Sequence, residues 1–137
     1  MSELTRIPAP DGVAPAAPYS HVVMGTGRLV AISGQLALDE DGKPVGEGDP
    51  AAQARQVFEN LRRCLGAAGA TFDDVVKLTY FVTDMGYMPA TREARAAHIP
   101  DDRLPASSAV QVAALVPPVF LMEIEAYAIE AYAIVAG

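Results

Sequence analysis

In the stretch Val76-Lys77-Leu78-Thr79-Tyr80-Phe81-Val82-Thr83, the residues Val76, Leu78, Tyr80 and Val82 alternate with Lys77, Thr79, Phe81 and Thr83. A period of two sends successive side chains to opposite sides of an extended chain, so the stretch is a strand with one face built for a core. Upstream, Asp49-Pro50 has the form of a helix cap followed by a first helical residue, and Val57, Leu61, Leu65 and Ala68 then recur at helical spacing. Phe58 and Cys64 widen that apolar stripe, Arg55, Glu59, Arg62 and Arg63 point elsewhere, and the helix ends at about Gly66 or Gly69. Downstream, Met88 to His98 is rich in Ala, Arg and Glu, which predicts a second helix ending before Pro100.

Further out, His21–Met24 and Arg28–Ser33 are β-rich and flank Gly25-Thr26-Gly27, which suggests a hairpin. Asp39-Glu40-Asp41-Gly42-Lys43-Pro44 has the chemistry of a turn. Ala109–Leu115 and Val119–Val135 are apolar and β-branched, with Pro117-Pro118 as a break. Pro8, Pro10, Pro15 and Pro18 bias residues 1–18 to an extended leader or edge segment. The order of elements predicts one α+β domain over residues 1–137, with both helices on one face of a sheet. Its other face must be polar or buried by a partner, and the apolar content favours self-association. At the end, Ile124-Glu125-Ala126-Tyr127-Ala128 repeats at once as Ile129-Glu130-Ala131-Tyr132-Ala133. In a strand the two copies would face opposite ways, so the second is expected to form a tail over 129–137 or to extend an edge strand.

With 137 residues, 51% hydrophobic and 20% charged, the chain has the composition of an ordinary globular domain. A chain of this size buries roughly two thirds of its unfolded surface, so a core is available without staples. The lone Cys64 excludes an internal disulfide, and its place in the helix stripe fits a structural thiol. Ten Lys and Arg against 17 Asp and Glu give a net charge of −7, which makes nucleic acid a poor partner. No segment approaches the roughly 18 apolar residues of a membrane span, and the N-terminus lacks a basic region followed by an apolar run, so a cytoplasmic location is expected. Walker, HExxH, CxxC and GxSxG patterns are missing, and His21, His98 and Cys64 do not compose a usual metal site, so none is expected.

Several short segments stand in a fixed order: Pro18-Tyr19-Ser20-His21, Ile32-Ser33-Gly34-Gln35, the helix segment Gln53 to Leu61, the strand Asp74 to Met85, Leu104-Pro105-Ala106-Ser107-Ser108 and Met122-Glu123-Ile124-Glu125-Ala126. Together, over about residues 6 to 129, they resemble the Rid family, also called YjgF or L-PSP proteins. The resemblance implies a chorismate-mutase-like fold packed as a homotrimer with a cleft between each pair of neighbouring subunits. It also implies hydrolysis of reactive enamines and imines, notably 2-aminoacrylate and its imine, to 2-keto acids and ammonia with no cofactor. The implied cleft is built from Tyr19, Ser33, Gly34, the position of Ser107 and the catalytic Glu123, which would act on the attacking water.

The chain departs from that pattern where the deaminating members have Pro-Ala-Arg-Ser, since it has Pro105-Ala106-Ser107-Ser108. A carboxylate-bearing imine calls for a planar cation, and losing such a pair costs on the order of 2–5 kcal/mol of affinity. Ala109 likewise replaces the family's usual cysteine. Arg92, which aligns with a cleft-lining polar position, Arg95 one turn further along the same face, and Arg103 are either substitute cations or ordinary solvated arginines. Glu123 is either a site carboxylate or the partner of a lysine, and Tyr19 is either a cleft wall or packing. Two functions follow from these alternatives. One is a trimer hydrolysing an enamine or imine that is less anionic or differently held; the other is a small-molecule-binding or regulatory trimer that lost catalysis. RNA cleavage sits badly with the net charge.

Overall fold

The computed structural model describes residues 4–15 and 17–131. Its elements are β1 (Thr5–Ile7), β2 (Val22–Met24), β3 (Arg28–Gln35), α1 (Pro50–Ala67), β4 (Val75–Val82), α2 (Met88–Ala96), β5 (Ala106–Gln111) and β6 (Met122–Glu130). The fold is α+β. A four-stranded sheet in the order β3-β6-β4-β5 carries both helices on one face, and β1 and β2 form a separate two-stranded ribbon.

Local chemistry explains most boundaries. The Asp49 side chain accepts from Ala52 N at 3.2 Å and Pro50 occupies the first turn, so α1 begins where its free backbone donors are satisfied. Val57, Phe58, Leu61 and Leu65 are fully buried against the sheet, while Cys64 is half-buried at the edge of the stripe. Asp39 closes the predicted turn by accepting from Asp41 N and Lys43 N, both at 2.9 Å. From β6, Met122, Ile124, Ala126 and Ala128 face the helices, and from β4, Leu78, Tyr80 and Val82 do so.

Several expectations need correction. Val76 does not join the buried face: the β4–β6 register shifts between Val75 and Lys77, so Val75 points inward and Val76 is half-buried. The predicted hairpin does not form, because β2 pairs with β1 and β3 pairs antiparallel with β6. The three residues of β2 offer β3 little to pair with, whereas β6 offers a nine-residue strand with one apolar face. Ala109–Leu115 is displaced: β5 starts at Ala106 and ends at Gln111, so the Ser107 motif lies on the strand itself, paired parallel with β4. Helix α2 stops at Ala96, with His98 in the turn behind it.

The repeated pentapeptide does not form a tail from Ile129 onward. Ile129 and Glu130 continue β6 opposite Leu29 and Arg28, and Arg28 bonds both the Glu130 carboxylate and the Ala68 carbonyl at the end of α1. Glu125 and Glu130 fall on opposite faces, as a five-residue repeat requires; the remainder of the second copy, from Tyr132, lies outside the described residues. The Pro-rich segment is stitched to the body through β1, through His21 N donating to Pro8 O at 3.3 Å, and through Arg6, whose guanidinium donates to Asp73 O at 3.0 Å.

Candidate functional site

Between β5, α2 and the Pro18-Tyr19 segment lies a cavity of about 310 Å³, at the small end of the usual range for metabolite pockets. Its position follows from pairing. Parallel register sets Ser107 beside Leu78 and Ala109 beside Tyr80, which turns both short side chains to the helix side of the sheet at its uncovered edge. Tyr19 reaches the same place because its neighbour Ser20 is fastened to the start of β5: Ser20 N donates to Pro105 O at 3.0 Å and Ser20 Oγ to Leu104 O at 2.7 Å. The Tyr19 ring also packs edge-on against His21, centroids 5.4 Å apart. Arg92 and Arg95, three residues apart on α2, complete the wall.

The other half of the predicted site lies on the opposite, open face. Glu123 alternates with the buried Met122 and Ile124, so its half-buried carboxylate points away from the helices, opposite Phe81 of β4. Ser33 and Gly34 sit where the β3–β6 register slips between Ile32 and Gln35. That irregularity brings the Gly34 backbone so close to Glu123 that a Cβ there would stand 2.6 Å from the carboxyl carbon. Glu123 has no ion pair among the described residues, and Lys77 instead donates to Ser108 Oγ at 2.8 Å.

Tyr19, Arg92, Ser107 and Ala109 are thus brought together, while Ser33, Gly34 and Glu123 form a second group that one chain cannot bring to the same ligand. Arg103 does not line the cavity: it pairs with Asp73, 30 residues earlier in the turn before β4, at 2.6 Å. Four further residues, Pro18, Tyr80, Met88 and Ser108, line the cavity without being singled out by the sequence; Tyr80 does so because the β4–β5 pairing turns the inward face of β4 into a wall at the sheet edge. Burial pushes the Tyr80 phenol up to about 12 despite the opposing Arg95 and Arg92 charges, so it is a neutral hydrogen-bonding group at ordinary pH. Larger grooves beside His98 and Cys64, of about 460 and 510 Å³, have arginines that are already paired, Arg62 and Arg63 both with Glu59. Among the described residues no cluster of three His, Cys, Asp or Glu could hold a metal ion, and no helix is long and apolar enough to cross a membrane.

Comparison with known proteins identifies the family and its fold. The sequence profile of the family described as Endoribonuclease L-PSP matches residues 10–130. The mouse protein named 2-iminobutanoate/2-iminopropanoate deaminase is 38% identical over 132 residues, 95% of this chain and 96% of its own. A Yersinia pestis protein of the conserved Rid family superimposes with a TM-score of 0.79 at 35% identity, covering 91% of this chain and 98% of that one. RidA from an Antarctic Psychrobacter does so with a TM-score of 0.69 at 37% identity, covering 95% and 100%. The chain therefore belongs to the L-PSP family of Rid (YjgF) proteins.

Proposed function

We propose that this protein works as a homotrimer whose clefts between neighbouring subunits bind a small planar metabolite, and that each cleft hydrolyses a reactive enamine or imine to a carbonyl compound and ammonia without a cofactor. In this reading Glu123 is catalytic, and Tyr19, Ser33, Gly34, Arg92, Ser107 and Ala109 bind the substrate. The observation that carries it is the division of these residues between the two faces of one sheet. They can meet one ligand only where the open face of one copy approaches the β5 edge of another, a head-to-tail contact that closes into a ring. Leu29, 71% exposed, and Val110 and Tyr127, also exposed, support burial of the open face.

The chemistry suits a carboxylate with no cation of its own. Water adds to the carbon of the C=N bond while Glu123 takes its proton. The nitrogen is then protonated, the C–N bond breaks, ammonia leaves and the carbonyl forms. Positioned general-base assistance of this kind contributes about 10²–10⁴-fold. The name of the mouse relative supports imine substrates as a class.

A second reading, a non-catalytic binding or regulatory trimer, is favoured by Ser107, which stands where the resemblance calls for a clamp arginine. RNA as substrate is disfavoured by the net charge of −7. Ammonia release from 2-iminobutanoate, generated in the cuvette by a pyridoxal-phosphate dehydratase, separates the readings. Acceleration over buffer by the unmodified protein, abolished in Glu123→Gln, is the expected result. No acceleration, with gain of activity in Ser107→Arg, transfers the conclusion to the binding reading.

A further inference from the structure

In a chain with a net charge of −7, the cavity beside β5 is lined, among the described residues, by two arginines and no carboxylate. Arg95 is buried, 5% exposed, and its Nη1 is held by Ile99 O at 2.8 Å and by Asp101 Oδ1 at 3.2 Å. Its one carboxylate partner is itself 86% exposed, so water screens that pair and leaves the guanidinium's charge weakly balanced on the cavity side. Arg92, on the same face of α2, has no ion pair among the described residues. Two like charges three residues apart on a helix repel, and nothing else lining the cavity offsets them.

Given the cleft proposed above, we infer that Arg92 and Arg95 form an anion subsite that holds the carboxylate of a short 2-keto or 2-imino acid, with Arg95 as the preorganised anchor. The fork geometry of guanidinium matches a carboxylate, and anchoring through Nη1 leaves Nε and Nη2 of Arg95 as donors. Ser107 and Ala109 are small, so they leave room for the anion on the facing wall. Tyr80 adds a neutral phenol beside both arginines, able to donate to the ligand's carboxylate or carbonyl oxygen. The ligand is then anionic and is anchored by α2 instead of by β5.

The test is calorimetric titration of the full-length protein with 2-oxobutanoate and with its uncharged amide, 2-oxobutanamide. The acid is expected to bind at least about tenfold more tightly than the amide, and Arg92→Gln is expected to cut that preference by about threefold or more, Arg95 holding the remainder. Arg95→Lys, which keeps a charge but loses the fork, should reduce the preference partially; should it fail to fold, Arg92→Gln alone decides. Equal binding of acid and amide, or a preference that Arg92→Gln leaves unchanged, overturns the inference while ammonia release still stands for the cleft. Binding of neither compound together with no ammonia release overturns the cleft reading and this inference with it.

Discussion

Gly34 and Glu123 pack backbone against carboxylate across the β3–β6 seam, with no space between them for a methyl group. The glycine is there for room, because its backbone conformation is open to any residue. The obstructed atoms are the far end of a flexible glutamate, so Gly34→Ala should displace the carboxylate and leave the sheet intact. Thermal unfolding is expected to change by less than about 1 kcal/mol, while ammonia release falls by about tenfold or more. A variant with full activity would show that Glu123 need not hold this position.

Gln53 ties three segments together inside the core. Its Nε2 donates to Gly46 O and Val119 O, both at 3.1 Å, and its Oε1 accepts from Leu121 N at 2.9 Å. Gln53→Leu keeps the volume but leaves those three partly buried backbone groups without their partner. A loss on the order of 3 kcal/mol is expected, read as a lower urea midpoint at unchanged m-value.

The open face should be where copies meet. Light scattering at micromolar concentration is expected to give three times the 14.4 kDa chain mass, and Leu29→Asp, adding a charge to the most exposed apolar side chain of that face, should give the single-chain mass with unchanged circular dichroism. A trimer that survives Leu29→Asp would move the interface elsewhere.

His98 stacks on Phe58, with centroids 6.1 Å apart and planes at 11°, and lies 4.8 Å from Phe72. Burial among these rings holds its pKa below the ordinary 6.5, against the pull of Glu59. The unfolded chain therefore binds the proton more readily, and the contribution of His98 to stability is present above about pH 6.5 and declines as pH falls through and below that value. His98→Phe keeps an aromatic ring and removes the titration. Unfolding temperatures compared from about pH 8 to pH 5 should show the unmodified protein losing stability relative to this variant; parallel curves would contradict the assignment.

The sequence by itself determined what depends on local periodicity and chemistry. The alternation in β4 from Leu78 to Val82, the apolar stripe and Asp49 cap of α1, and the Asp39 turn are local decisions, and each appears where the residues require it. The ordered short segments sufficed to identify the family, because their joint spacing is specific even though each is common. Strand partners depended on non-local competition, and there the local signal misled: Gly25-Thr26-Gly27 has hairpin chemistry, yet β3 gains more by pairing with the long β6. The tertiary structure alone decided that Ser107 and Ala109 lie on a strand parallel to β4, that Tyr80 and Arg95 stand beside them, and that Glu123 points to the opposite face. The reason is that a strand's period fixes which residues share a face, while register and partner choice fix which neighbours that face meets, and those are settled only when distant segments compete for the same core.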